Sequence, residues 1–253
     1  MVDSEFMDLT HRSSSGASVS STSNGFRLTI PVSSKYQYRL AQLDDYALLA
    51  RDKFLWRAPL TLTLRARVSS DSIPGTWGFG LWDDPFGIAI WLKDSPFRLP
   101  SLPNAIWFFH ASQQNYLSFR DDKPAQGFLA QVFSSPSFHP SMLAIVPTFL
   151  FSQQKARQAL SRIINEDSAA ISVDTTQWHC YRFEWSLNRS AFWVDETLVL
   201  DTPMSPRAPL GMVIWIDNQY AAFTPDGKMN WGLEKNPTEV WLEIGDIEIK
   251  GQA

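Results

Sequence analysis

The sequence predicts an all-β fold, a two-sheet antiparallel jelly-roll sandwich with one inserted helix. Short runs of β-forming residues recur from Phe26 onward and are separated by Pro, Gly, Asn and Asp. Several of these runs alternate apolar and polar residues, as a strand with one buried face does. The length of 253 residues fits one large β domain.

The run at residues 60–68 shows the alternation most clearly. Leucine, alanine and valine occupy one face, while Thr61, Thr63, Arg65 and Arg67 occupy the other. Because successive side chains of a strand point to opposite faces, this pattern predicts a half-buried antiparallel strand. The clearest predicted strands are 26–32, 60–68, 77–82, 88–92, 105–111, 127–133, 180–185, 191–194, 212–216 and 240–249.

One segment, residues 148–167, departs from the β pattern. Its apolar residues, Leu160 and Ile164 among them, recur at helical spacing between basic residues. We expect one amphipathic helix that seals an end of the sandwich or forms a lid over a groove.

The first 24 residues are rich in serine and predict a disordered tail, and residues 25–253 predict a single β-sandwich domain. The N-terminus has acidic residues and serines where a signal peptide has an apolar stretch, and no run of about 18 apolar residues occurs. A cytoplasmic protein without a transmembrane segment is the expectation. Cys180 is the only cysteine, so the fold contains no intrachain disulfide.

The net charge and the tryptophan content limit the classes of ligand and partner that we expect. A net charge of −4 offers no general attraction to phosphate backbones, so we expect no nucleic-acid partner. Eleven tryptophans suit both broad sheet faces and stacking on sugar rings. Carbohydrate or a small molecule is the expected ligand class, and the sequence leaves the oligomeric state open.

The segment Trp178-His-Cys-Tyr-Arg-Phe-Glu-Trp185, followed by Phe192-Trp-Val-Asp195, resembles a strand pair of laminarinase-like glycoside hydrolases of family 16 and related concanavalin A-like domains. The closing strand at 240–249 also resembles the last strand of such sandwiches. Glu196 stands where these proteins usually have Gly. The resemblance implies a concanavalin A-like fold and a sugar-related function.

The catalytic signature of those hydrolases, Glu-x-Asp-x-x-Glu on a groove strand, does not occur in this sequence. Its two carboxylates would stand about 5–5.5 Å apart on one face. The nearest segment, at the closing strand, has Glu243 and Glu248 at an odd spacing, which predicts opposite faces of a regular strand. The sequence therefore predicts a domain without the family's hydrolytic machinery.

The first candidate site is the glycine-rich stretch at 75–87. Trp82 shares a face with Gly78 and Gly80, so its ring is expected beside a glycine-floored trough. Either Trp77 or Trp82 is a candidate for binding a ligand along a concave face. Asp83 and Asp84 follow the strand, either as turn-capping residues or as weak candidates for a calcium site. No other cofactor is expected.

A second candidate site lies at the end of the run 212–216. Trp215 precedes a group of polar and aromatic side chains, Asp217, Asn218, Gln219 and Tyr220, at a predicted sheet rim. Planar amides and carboxylates beside aromatic rings suit sugar hydroxyls and sugar faces. The alternative is a loop held by its own side chains.

Weak catalytic candidates are Glu184, Asp217, His179 and His110. The histidines lack the spacing of a zinc site, and Glu184 has Arg182 or Arg65 as an expected cross-strand partner. An enzyme such as a hydrolase or isomerase requires two of the four in one pocket.

Three functions remain open from the sequence. The first is a carbohydrate-binding domain, and the second is an enzyme acting on a sugar or an apolar small molecule. The third is a protein-interaction module that uses exposed aromatics and the predicted helix. Fold alone does not choose among them.

Overall fold

The computed structural model describes residues 9–14, 16–85, 96–136 and 153–251. These residues form strands, one nine-residue helix, α1 (Gln153–Ser161), and a single 3-10 turn (Arg51–Lys53). The strands are β1 (Thr10–Ser13), β2 (Ser18–Ser21), β3 (Gly25–Ile30), β4 (Leu40–Asp44), β5 (Leu60–Val68), β6 (Thr76–Trp82), β7 (Ala105–Ala111), β8 (Gly127–Ser134), β9 (Asn165–Ala170), β10 (His179–Ser186), β11 (Arg189–Val194), β12 (Thr197–Thr202), β13 (Gly211–Asp217), β14 (Gln219–Phe223), β15 (Met229–Leu233) and β16 (Val240–Gly251).

Two seven-stranded antiparallel sheets form the sandwich, as the sequence predicts. Sheet A has the order β1-β4-β13-β6-β7-β8-β9, and sheet B has the order β12-β11-β10-β5-β16-β3-β2. A separate hairpin pairs β14 with β15. Several neighbouring strands, such as β4 and β13 in sheet A and β5 and β16 in sheet B, come from distant parts of the chain, which is the crossed connectivity of a jelly roll.

The main core lies between the sheets. In β5 the leucines, alanine and valine are buried while the threonines and arginines are not, as the alternation predicts. Aromatic rings meet across the sheets, with Phe79 of sheet A 5.2 Å from Tyr181 of sheet B between centroids. Phe108 and Phe192 meet in the same way at 5.3 Å. These contacts bury apolar surface from both sheets in one cluster.

A two-residue turn joins β11 to β12 within the segment that carries the family resemblance. Asp195 and Glu196 both have left-handed backbone angles, φ 46° and 66°. Such angles are typical of tight hairpin turns and favour glycine, which explains why Gly suits the position of Glu196. The Asp195 carboxylate accepts a hydrogen bond from the Cys180 backbone N–H at 2.8 Å, so it holds the turn against β10.

The predicted helix is present but shorter than 148–167. Residues 148–152 lie outside the described part of the chain, and the helix occupies Gln153–Ser161. The chain then turns, and β9 begins at Asn165 because that segment pairs with β8 along the edge of sheet A. Ala156, Leu160 and Ile164 are all buried, so the apolar stripe is used for packing.

The expected disordered tail needs correction for residues 10–21. Thr10–Ser13 pairs with β4 at one edge of sheet A, and Ser18–Ser21 pairs with β3 at one edge of sheet B. Arg12 also forms an ion pair with the buried Asp44 at 2.6 Å. These strands are held by backbone pairing, by this ion pair and by side-chain contacts such as that of Val19 with the main core, and their mostly polar sequences show no apolar alternation. Residues 1–8 lie outside the described residues.

Most predicted strands are present with shifted ends, and the run 88–92 lies outside the described residues. Strands β4, β9, β12, β14 and β15 were not predicted. The expectation that Glu243 and Glu248 face opposite sides is wrong, because the register of β16 shifts between Gly245 and Glu248. Both glutamates therefore stand opposite outward residues of β5, Arg67 and Thr63.

No helix in the described ranges combines the length and the apolar character needed to cross a bilayer.

Candidate functional site

The glycine-floored trough predicted on β6 is filled by the protein's own aromatic rings. A methyl group at Gly78 would lie 2.8 Å from Cη2 of Trp215, on the neighbouring strand β13. One at Gly80 would lie 2.5 Å from Cβ of Trp107, and one at Gly211 would lie 2.6 Å from the ring of Tyr46. The glycines allow these side chains to lie directly on the sheet.

Above these glycines, aromatic side chains form a second apolar cluster on the outer face of sheet A. Trp107 is central, with centroid distances of 5.5 Å to Trp215, 5.4 Å to Phe109 and 6.0 Å to Trp82. Leu160 and Ile164 join this cluster from α1 and the turn after it. Trp82 and Trp215 are only 8% and 9% exposed. Packing therefore occupies both tryptophans in the described structure.

Trp77 lies on the opposite face of β6, in the core between the sheets. Its ring stacks on His110 at 5.3 Å and on Phe128 at 4.7 Å between centroids. Burial lowers the pKa of His110 to about 4, so this imidazole is neutral at pH 7. Trp77 and His110 are therefore core residues.

Asp217 ends β13 on the outer face of sheet A and is buried. Its Oδ1 accepts a hydrogen bond from the Thr76 hydroxyl at 2.7 Å, and its Oδ2 accepts one from the Tyr38 hydroxyl at 3.4 Å. Trp215 Nε1 in turn donates to Thr76 Oγ1 at 2.9 Å. Burial raises the pKa of Asp217 to about 7, so this carboxyl is about half protonated at neutral pH.

Asn218 has a structural role. Its Oδ1 accepts a hydrogen bond from the Arg39 backbone N–H at 2.8 Å, and its Nδ2 donates to the carbonyls of Gln37 and Glu234, each at 2.9 Å. The side chain is fully buried. It ties three chain segments together and leaves no amide atom for a ligand.

Gln219 and Tyr220 begin the β14–β15 hairpin and point to opposite faces of it. Tyr220 stands opposite Gly232, and a methyl group there would lie 3.0 Å from the Tyr220 ring. Gln219 is exposed and shares its face with Trp231, which stands opposite Ala221 and is 68% exposed. Trp231 was missed from the sequence, since it lies in a polar stretch rich in turn residues; a lone tryptophan there was the available signal.

Asp83 and Asp84 lie at the other end of sheet A. Asp83 accepts hydrogen bonds from Asn104, and Asp84 forms a buried ion pair with Arg98 at 2.8 Å. Six strand residues, about 20 Å, separate this end of β6 from Thr76 and its partner Asp217. The two aspartates therefore cannot share a calcium ion with Asp217. Within the described ranges no three His, Cys, Asp or Glu side chains come together as a metal site.

The four weak catalytic candidates occupy four separate places. Glu184 lies on the outer face of sheet B and pairs with Arg182 at 2.5 Å. His179 lies at an end of sheet B and contacts Asp195 at 2.5 Å and the Asp174 carbonyl at 2.9 Å. His110 is in the main core, and Asp217 is on sheet A. The geometry therefore builds no active site from any two of them.

The outer face of sheet B has a different character. Arginine and tryptophan alternate across it, with Arg67 over Trp178 at 4.9 Å and Arg182 over Trp193 at 3.9 Å. Glu243 accepts hydrogen bonds from Arg27 and Arg67. The sequence signal was the outward row of polar residues on β5, which predicted an exposed face without indicating tryptophans above it.

No protein-family model matches the chain, and no curated protein has a similar sequence. Among solved structures it is similar to a β-glucanase from Bacillus licheniformis, with a TM-score of 0.50 and 12% identity over 99% of this chain and 95% of that one. A legume lectin-like domain from Entamoeba histolytica gives 0.49 and 9%, over 94% and 88% of the two chains.

A GlcNAcα1-4Gal-releasing endo-β-galactosidase from Clostridium perfringens gives a TM-score of 0.45 and 13% identity over 90% of this chain. This chain spans only 53% of that protein. At these identities the likeness concerns the fold alone. The likeness to the β-glucanase and the two-sheet topology show a concanavalin A-like jelly roll.

Proposed function

We propose that the chain is a carbohydrate-binding domain that lacks retaining hydrolysis and holds its sugar on the β14–β15 hairpin. The observation that carries the proposal is the exposed Trp231, which shares a hairpin face with the exposed Gln219. The glucanase fold of the structural neighbour is compatible with sugar binding but does not supply the site.

The hairpin offers the two chemical elements that sugar recognition uses. Trp231 stands opposite Ala221, whose small side chain leaves the indole ring uncovered. Gln219 is a diagonal neighbour of Trp231 on the same face, at a Cβ distance of about 7–8 Å. A sugar ring stacked on the indole can therefore exchange hydrogen bonds with the Gln219 amide.

The rim of sheet A continues this surface. The Asp217 carboxylate accepts a hydrogen bond from the Gln219 backbone N–H at 3.3 Å, which fixes the start of the hairpin. Tyr38 is partly exposed beside it and donates to the same carboxylate. The exposed edge of Tyr38 adds a second aromatic surface for the ligand.

The wide separation of the two glutamates of β16 supports binding over hydrolysis. Glu243 and Glu248 share the outer face of sheet B but stand opposite residues four positions apart on β5, a separation of about 13 Å. Retaining hydrolysis needs about 5–5.5 Å. An enzyme that uses Asp217 would need a second titratable group, and the one that Asp217 contacts is Tyr38. Burial and the neighbouring Asp217 raise the pKa of Tyr38, so its hydroxyl keeps its proton and acts as a hydrogen-bond donor.

The experiment is titration of the protein with a panel of neutral oligosaccharides while tryptophan fluorescence is recorded. We expect quenching by at least one glycan, and Trp231→Ala should weaken its binding about threefold to tenfold, since a stacked aromatic contributes about 0.5–1.5 kcal/mol. Leu187→Ala, at an exposed position of sheet B, is the control and should bind normally. If no glycan changes the fluorescence, or if Trp231→Ala binds as the parent does, the proposal is wrong.

A further inference from the structure

A polar cleft lies on the outer face of sheet B, on the opposite side of the sandwich from the aromatic cluster. Its volume is about 290 Å³, close to the lower end of the range for small-molecule sites. It is lined by Thr22, Ser23, Asn24, Arg65, Arg67, Trp178, Glu243, Ile244, Gly245 and Asp246. We call it the arginine cleft.

Glycine and a β-bulge create the floor of the arginine cleft. A methyl group at Gly245 would stand 3.8 Å from Cη2 of Trp178 and 3.5 Å from the Asn24 carbonyl, so the floor has room for a methyl group in van der Waals contact with the indole. The register of β16 shifts just beyond Gly245, and Asp246 adopts a left-handed angle of φ 51°. Bulges of this kind re-aim side chains next to binding sites.

The charges of the cleft are only partly matched. Arg27 and Arg67 both bind the Glu243 carboxylate, at 2.6 and 2.7 Å. The described hydrogen bonds of Arg67 engage only its Nε, and the one described polar contact of Arg65 is with Asp246, at 3.4 Å. The lining thus has two arginines and two carboxylates, and Arg27 beside the cleft shares the Glu243 carboxylate with Arg67, so that this carboxylate is already matched.

Trp178 supplies the apolar wall. The guanidinium groups of Arg65 and Arg67 lie 5.1 and 4.9 Å from its ring centroid, and 37% of the side chain is exposed. Arginines ordered against an indole present their outer N–H groups in fixed directions, which suits the planar binding of a carboxylate or sulfate. The cleft therefore combines an anion-binding group with an aromatic surface.

We propose that the arginine cleft binds an acidic saccharide, with a uronate or sulfate group on Arg65 and Arg67 and the sugar ring against Trp178. The site is separate from the hairpin, and it does not depend on the function proposed there. The ligand proposed for the outer face of sheet B is negatively charged, whereas the sugar expected at Trp231 is neutral.

The test is isothermal titration calorimetry of the full chain with a galacturonate trisaccharide, a sulfated galactose trisaccharide, the neutral galactose trisaccharide and inorganic sulfate. We expect at least one acidic trisaccharide to bind about tenfold or more tightly than both the neutral one and free sulfate, because charge-assisted hydrogen bonds and ring contacts act together. Binding should weaken with added salt.

Two variants probe the site without disturbing the buried carboxylate. Arg65→Gln removes the exposed guanidinium and should weaken binding about tenfold. Gly245→Leu fills the floor and should abolish binding. Arg189→Gln changes a partly exposed arginine elsewhere on sheet B and should have no effect. Trp231→Ala should also have no effect, which separates this site from the hairpin.

Three results would overturn the proposal. Equal affinity for neutral and acidic trisaccharides would remove the role of charge, and equal affinity for free sulfate would reduce the cleft to an ion site. Unchanged binding by both Arg65→Gln and Gly245→Leu would place the ligand elsewhere.

Discussion

Each sheet carries a glycine beside a tryptophan on its outer face, and the two pairs differ in spacing. A methyl group at Gly78 of sheet A would lie 2.8 Å from the ring of Trp215, whereas one at Gly245 of sheet B would lie 3.8 Å from the ring of Trp178. Trp215 is buried and Trp178 is not. A difference of 1 Å separates a position where an added methyl group would overlap the ring from one where it would only touch the ring. The same two residue types therefore support a second core on one sheet and a solvent-facing surface on the other.

The largest expected difference between the faces is the cost of removing a tryptophan. Trp215→Ala should lower the free energy of unfolding by about 3–5 kcal/mol, because it leaves a cavity among packed rings. Trp178→Ala should cost about 1 kcal/mol or less, since the ring is partly exposed and mainly contacts arginines. Urea unfolding followed by circular dichroism measures both. Similar losses in the two variants would show that the faces do not differ as described.

Opposite pH dependences should follow from one carboxyl on each face. Burial raises the pKa of Asp217 to about 7, so the folded state keeps a proton that the unfolded chain releases near pH 4. The Asp217 contribution to stability is thus complete below about pH 4 and declines as the pH rises to about 7, by roughly 1.4 kcal/mol per pKa unit.

Glu243 has the reverse behaviour. Burial pushes its pKa up, but hydrogen bonds from Arg67 and Arg27 outweigh burial and hold the pKa below its ordinary value. Its contribution is present at neutral pH and is lost as the pH falls through the lowered pKa.

Unfolding curves at a series of pH values test this pair. Asp217→Asn should gain stability relative to the parent as the pH rises from 4 to 7, on the order of a few kcal/mol. Glu243→Gln should lose stability at pH 7 and match the parent at low pH. Asp45 and Asp83, whose pKa burial raises to about 6, remain in both variants, so only differences from the parent are informative. If the stability differences of the two variants from the parent changed with pH in the same direction, the opposite roles given to Asp217 and Glu243 would be wrong.

The smallest effect is expected from adding one methyl group to each glycine. Gly78→Ala should destabilise the protein by about 1–3 kcal/mol, because the methyl would lie 2.5 Å from the Phe108 backbone carbonyl oxygen and 2.8 Å from the Trp215 ring. Gly245→Ala should be close to neutral, since its nearest new contacts are ordinary van der Waals distances. Thermal unfolding compares them directly, and an equal shift of Tm in both would show that Gly245 is as tightly enclosed as Gly78.

The sequence predicted those strands whose alternation reflects a buried face. In β5 the alternation of leucines and polar residues predicts which side chains are buried. The strand in the structure has the same bounds as the predicted one, Leu60–Val68. Strand β4 was missed because it carries Gln42 and Asp44 into a buried environment, where they bond to each other at 3.0 Å. Its apolar positions on the core side are only Ala41 and Leu43, too few to stand out as an alternation. The edge strands β1 and β2 were missed because they are four residues long and mostly polar, and a local pattern does not reveal their pairing with β4 and β3.

The candidate site was less predictable than the fold. The alternation of side chains along a strand correctly placed Trp82 on the same face as Gly78 and Gly80. The rings that cover these glycines, Trp215 and Trp107, come instead from the neighbouring strands β13 and β7. Sheet order decides which side chain reaches which glycine, and local patterns do not encode it. The bulge in β16 likewise reversed the expected orientation of Glu248.

The first two strands, β1 and β2, lie at the edges of different sheets and are joined by one short piece of chain. β1 is the outermost strand of sheet A, β2 is the outermost strand of sheet B, and only residues 14–17 connect them. A sheet edge without such a neighbour exposes unpaired backbone groups to other chains. Shortening this protein to Gly25, as its serine-rich start would invite, would therefore uncover β4 and β3 together and create two aggregation-prone borders at once.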